Sequence, residues 1–128
     1  MENTSNMVMY IFVNTDIKRD RPEERKGLCS AQVAHVVHNI IDIIVRDIYE
    51  TIPVPEYCDR YLRWCDDPTM VILRANETQL NQLLKLSETY GFRDDIPINN
   101  KSKETKSMLT CVGLYPNNIH NFSEYKLL

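Results

Sequence analysis

The stretch MVMYIFVN, residues 7–14, decides the fold class. It is a continuous run of apolar, β-branched and aromatic side chains of strand length. A strand with one wet face alternates polar and apolar residues, whereas a strand buried on both faces does not. Burial on both faces requires a sheet covered by helices. The polar residues 15–26 follow as a loop, after which the apolar period becomes helical from Leu28 to about Tyr49. Leu28, Ala31, Ala34, Val37, Ile41, Ile44, Val45 and Ile48 form one wide stripe, broadened by Val36, Ile40 and Ile43. Pro53 and Pro55 end this helix, because proline lacks a donor and clashes with the preceding turn. Residues 55–64 have the composition of a second, shorter helix.

Further along, TMVILR at 69–74 reads as another interior strand. Asn76 is placed to cap a helix, with Gln79 three residues on completing a capping box. Leu80, Leu83, Leu84, Leu86 and Tyr90 supply that helix's buried stripe, and Gly91 suits its C-terminal cap. Residues 95–99 form a short strand that Pro97 confines to an edge. The last strand is MLTCVGLY at 108–115, closed by Pro116. The order β-α-α-β-α-β-β predicts an α/β fold in one domain over residues 1–128. The expected form is a three-layer α/β/α sandwich around a four-stranded mixed, mostly parallel sheet, with strands 7–14 and 108–115 interior.

Composition excludes several classes. The chain of 128 residues is 43% hydrophobic and 26% charged, ordinary values for a soluble globular domain. Its uninterrupted apolar runs fall far short of about 20 residues, so no membrane association is expected. The N-terminus has no signal-peptide pattern, which predicts a cytoplasmic protein and leaves the Asn-x-Ser/Thr triplets at Asn3, Asn76, Asn100 and Asn121 unglycosylated. Cys29, Cys58, Cys65 and Cys111 form no CxxC pair and match no zinc spacing, so reduced thiols, no metal and no cofactor are expected. A net charge of −3 argues against a broad nucleic-acid surface. One local exception exists, because Lys18, Arg19, Arg21, Arg25 and Lys26 crowd together, diluted by Asp20, Glu23 and Glu24.

In open α/β sheets ligands bind beyond the carboxyl ends of strands. Lys26 and Gly27 stand there, directly before the long helix as the periodicity draws it. Unpaired helix amides, a glycine that admits close approach and a lysine would suit a phosphate or an oxyanion. The glycine spacing is not that of a Walker loop. Gln32 and His35, three residues apart, share a face one turn into the helix, and His38 and Asp42 form an i,i+4 pair. Cys29 and His35 point to different sides, which argues against a Cys–His dyad.

KGLCSAQVAH at 26–35 resembles the KGKxAAQxxH signature that opens the first helix of type-2 peptidyl-tRNA hydrolases. Trp64 before MVILR, the segment leading to Tyr90-Gly91-Phe92, the strand TCVGLYP (similar to the family's TVLxxGP) and the final YKLL all fall in family order. The resemblance implies hydrolysis of the ester joining a peptide to the terminal ribose of tRNA, with peptidyl-tRNA or tRNA as partner and a homodimer as assembly. It implies catalytic roles for Lys26, Asn99 and Ser102, and substrate binding by Arg25, Gly27, Gln32 and His35. Two departures stand out. Leu28 replaces a second lysine, and residues 98–103, INNKSK, replace the family's Asp-Ala-Gly-x-Thr loop. Counting from Gly91 sets Asn99 at the aspartate, while counting back from Pro116 sets Ile98 there. Asn99 keeps the polar shape, whereas Ser102 supplies the threonine hydroxyl only in the second register. Asp94 and Asp95, a few residues upstream, would substitute only with a rebuilt loop. The competing expectation is a catalytically weak or inactive homologue that binds tRNA or a protein.

Overall fold

A computed structural model describes residues 6–17, 22–97 and 104–128, with the backbone alone for residues 22–27. The elements follow in the order β1 (Val8–Asn14), α1 (Pro22–Glu50), α2 (Glu56–Asp66), β2 (Thr69–Ala75), α3 (Glu77–Leu83), β3 (Thr89–Pro97) and β4 (Thr105–Leu114). They build an α/β fold whose four-stranded mixed sheet has the order β2-β1-β4-β3. The two apolar runs, β1 and β4, are therefore the interior strands.

Strand direction differs from the expectation. Only β1 and β2 pair in parallel; β1–β4 and β3–β4 are antiparallel, so the sheet is mostly antiparallel in its pairings. β4 runs against the other three strands. Parallel neighbours need a crossover of a dozen or more residues, which the β1-to-β2 connection through α1 and α2 supplies, whereas only seven residues join β3 to β4. An unbroken apolar run reports burial on both faces and is silent on direction. β2 is an edge strand, not an interior one, and its outer side is partly covered by the C-terminal segment. The Arg74 N–H donates to the Lys126 carbonyl (2.8 Å) and the Leu128 N–H to that of Ile72 (3.1 Å).

α1 and α2 pack on one face of the sheet, where Met9, Ile11, Val36, Ile40, Ile44, Trp64 and Cys111 form the core. On the other face Phe12, Leu73, Leu80, Leu83 and Val112 pack with Phe122 and Tyr125 of the C-terminal segment. Phe12 meets the rings of Phe122 and Tyr125 edge-on, with centroids 4.9 and 5.0 Å apart.

α1 begins at Pro22, well before Leu28. Proline suits a first helical position because its missing donor is not needed there. The deepest line on the helix is Gln32, Val36, Ile40 and Ile44, while Ala31 and Ala34 are exposed. Asp42 pairs with Arg46 (3.1 Å) and not with His38. The stretch Leu28–Glu50 is long and apolar enough to cross a membrane by length and composition, which the count of uninterrupted runs missed. Its packing against β1, β3, β4 and α2 accounts for the apolar character of one face. α3 has the expected capping box between Asn76 and Gln79 but ends at Leu83. Tyr90 and Gly91 belong to β3, which begins six residues before the expected short strand and lies, as expected, at an edge.

The end of α1 is pinned to α2 through Asp47, whose carboxylate accepts from the Thr51 hydroxyl (3.0 Å) and from the Tyr57 hydroxyl. This bond to Asp47, then burial, holds the Tyr57 hydroxyl above its ordinary range. Burial pushes Tyr61 up to about 12 and the Cys111 thiol up to about 12, and it raises Cys58 and Tyr115 as well. None of the four cysteines forms a disulfide. Each of these groups is neutral when protonated and holds its proton more tightly in the folded chain. Their contribution to stability is therefore complete below the unfolded pKa values and is lost as pH rises from about 9 towards 12. For the fully buried Cys111 the loss reaches about 4 kcal/mol at the top of that window. We expect urea midpoints to fall between pH 9 and 11, and to fall less in Cys111→Ala. A midpoint constant over that range would contradict this.

Candidate functional site

Two polar side chains interrupt the apolar interior strands, Asn14 at the end of β1 and Thr110 in β4, and both lie at one irregularity of the sheet. In the β3–β4 ladder Phe92 pairs with Cys111 but Arg93 pairs with Leu109, so Thr110 is the extra residue of a β-bulge. A bulge breaks the alternation of faces and re-aims a side chain. Cys111 packs in the core beneath α1, and Thr110 also reaches towards α1, although consecutive strand residues ordinarily point apart. Asn14 steadies the distortion by donating from Nδ2 to the Leu109 carbonyl (2.7 Å), while its Oδ1 accepts from the Asp16 N–H (2.7 Å).

Gln32 is the partner that the bulge serves. It is 3% exposed, in the deepest line of α1. The Thr110 hydroxyl donates to Gln32 Oε1 (2.6 Å) and also lies 3.1 Å from the Phe92 carbonyl. Gln32 Nε2 in turn donates to Asp94 Oδ2 (3.1 Å). An ionised carboxylate only accepts, so Asp94 fixes which end of the amide faces it. Thr110 then holds the other end. The second Asp94 oxygen accepts from the Asp95 N–H (2.8 Å). No buried side-chain polar atom among the described residues lacks a partner. The result is an exposed carboxylate held from below by a buried, satisfied amide–hydroxyl pair on rigid elements, with lone pairs left for solvent.

One turn along α1, the exposed His35 lies flat on Phe92 of β3, with ring centroids 4.8 Å apart and planes 8° from parallel. Gln32 and His35 are thus brought together over the middle of β3, as their spacing predicts. The other sequence candidates fare differently. Arg25, Lys26 and Gly27 lie within the opening turns of α1, not before it. Only the first four N–H groups of a helix are free, so the amides that follow Gly27 are committed to the helix and do not form the anticipated oxyanion site. Asn99 and Ser102 lie outside the described residues.

Sequence reasoning held Asp94 in reserve and missed Thr110, Phe92 and Asn14. The signal for Thr110 and Asn14 was present as a polar residue inside each otherwise apolar run. Among the described residues no group of three or more His, Cys, Asp or Glu is arranged to hold a metal ion. No family model matches the chain, and no curated protein was found to match it.

Proposed function

We propose that the protein is a peptidyl-tRNA hydrolase of the type-2 kind, a three-layer α/β/α domain that cleaves the ester between a peptide and the terminal ribose of tRNA. The observation that carries the reading is the carboxylate of Asp94 on β3, fixed from α1 and β4 by Gln32 and Thr110. Ester hydrolysis needs a group to take a proton from water, and an exposed, oriented carboxylate can do so. Asp94 replaces Asn99 as the base, since an amide can hold a water but cannot accept its proton. Lys26 and Arg25, two turns before Gln32 on α1, would supply the cations for tRNA phosphates. The order of the family-like motifs along the chain supports the same reading.

The test is release of peptide from peptidyl-tRNA by the purified chain, together with tRNA affinity as a function of salt. Binding should weaken steeply as salt rises. Lys26→Ala should weaken it further and make the log–log slope shallower by about 0.9, the amount that one neutralised phosphate contributes. Binding without turnover would select the inactive tRNA-binding homologue. Salt-independent binding, or none at low salt, would remove tRNA altogether. Homodimer formation and a cytoplasmic setting remain part of the proposal.

A further inference from the structure

β1 and β2 are parallel neighbours whose chains leave in opposite directions. After β1 the chain passes to α1 on one face of the sheet, and after β2 it passes to α3 on the other. Where two such connections part, the carboxyl ends of the strands leave a crevice, the usual ligand position of open α/β sheets. A hollow of about 340 Å³ lies there, lined by Thr15 from the end of β1, Arg74 from β2, Gln79 from α3 and Glu124, Tyr125 and Lys126 from the C-terminal segment.

The chemistry of this hollow is cationic. Arg74 and Lys126 are both exposed, and neither has an ion-pair partner among the described residues. Their backbones are tied together by the Arg74 N–H to Lys126 carbonyl bond (2.8 Å), which sets the two cations beside one another. The amides at the start of α3 are already taken. Glu77 N–H donates to Asp16 Oδ2 (2.9 Å) and Gln79 N–H to Asn76 Oδ1 (2.8 Å), so recognition of an anion falls to the two side chains. Gln79 Oε1 is occupied by the Asn76 N–H (2.9 Å), which leaves its Nε2 to donate. Glu124 adds one carboxylate, which repels a bare anion but can accept from a ribose hydroxyl or a base amine.

We propose that this hollow is a phosphate subsite for a nucleotide unit, with Arg74 and Lys126 on the phosphate and Glu124 on a ribose or base donor. It lies at the carboxyl ends of β1 and β2, three strands across the sheet from Asp94 on β3. Where the nucleotide belongs to an RNA strand, the inference rests on the tRNA reading above; where it is free, the inference stands alone.

The experiment compares the wild-type chain with Arg74→Gln/Lys126→Gln and with Lys85→Gln, a surface control beyond the opposite end of α3. Three probes are titrated: inorganic phosphate, adenosine 5′-monophosphate and a single-stranded oligoribonucleotide. Binding is read by amide shifts at Thr15 and Lys126, and for the oligonucleotide also by the salt slope. The double variant should bind the oligonucleotide about tenfold more weakly, with a slope shallower by about 1.4, as removing two cations from a single strand's phosphates requires. Lys85→Gln should change neither. Shifts with adenosine monophosphate but no RNA binding would keep the subsite and remove the tRNA reading. A wild-type slope in the double variant, with Lys26→Ala still weakening RNA, would keep the tRNA reading and overturn the subsite. No shift at Thr15 or Lys126 with any probe would also overturn it.

Discussion

Asp94→Asn should lower hydrolysis of peptidyl-tRNA by on the order of 10²–10⁴, the usual cost of losing a general base. The asparagine keeps the shape of the side chain and still accepts from Gln32 Nε2 through its own oxygen, losing only the exposed bond from the Asp95 N–H, so the fold and the amide–hydroxyl pair beneath it should survive. Affinity for tRNA should hold or rise slightly, because a negative charge facing phosphates is removed. Asn99→Asp discriminates between registers. If Asn99 occupies the position that the family's aspartate holds, the substitution raises turnover in the parent and rescues Asp94→Asn. If Asp94 is the base, it does neither. An Asp94→Asn protein as fast as the parent would sink the assignment, and a parent no faster than uncatalysed hydrolysis would reduce the domain to a binding module.

The second large effect is on stability. A Cβ at Gly113 would lie 2.5 Å from Val36 Cγ1, 2.6 Å from Ile40 Cδ1 and 3.0 Å from Ile11 Cδ1. All three neighbours are fully buried, and Val36 is β-branched in a helix, with one strongly preferred rotamer. Neither α1 nor β1 can yield without disturbing the core between them. Gly113→Ala should therefore cost about 2–3 kcal/mol, at the upper end for overpacking. In Tm that is roughly 10 °C for a chain of this size. Gly91→Ala is the matched control. Its Cβ would meet Leu84 Cδ2 at 2.8 Å and the buried Leu109 Cδ1 at 3.2 Å; Leu84 is 37% exposed and can swing outwards, and Leu109 need give only slightly, so the cost should stay below about 1 kcal/mol. Equal losses in the two variants, read by thermal melting, would show that helix-to-sheet packing at Gly113 is looser than these distances imply.

Much of this architecture could be read from residue patterns because its causes are local. The runs at 7–14 and 108–115 named the two interior strands, Pro53 and Pro55 ended α1, and Asn76 with Gln79 announced the cap of α3. Strand direction was not legible, since β4 reaches its place beside β1 through pairing with distant residues and not through any property of its own sequence. The leucines at 84 and 86 continued a helical stripe that the chain abandons after Leu83, where pairing of Tyr90 and Gly91 with β4 takes over. For the site, spacing placed Gln32 beside His35, yet nothing local joins Gln32 to Thr110, 78 residues away. The bulge that joins them depends on how β3 and β4 register against each other, and single-strand periodicity is blind to it.

The central place of β1 in the sheet also bears on how the protein is made. This strand is synthesised before both of its hydrogen-bonding neighbours, β2, more than fifty residues later, and β4, later still. A growing polypeptide thus carries this apolar strand with both edges open until β2 emerges and with one edge open until β4 has left the ribosome, and long-range pairings of this kind are slow to form. Unpaired edges are templates for pairing with another chain. Biosynthesis therefore passes through a window of aggregation risk set by topology, in which chaperone capture has the most to act on. Any truncation that removes β4 makes that window permanent.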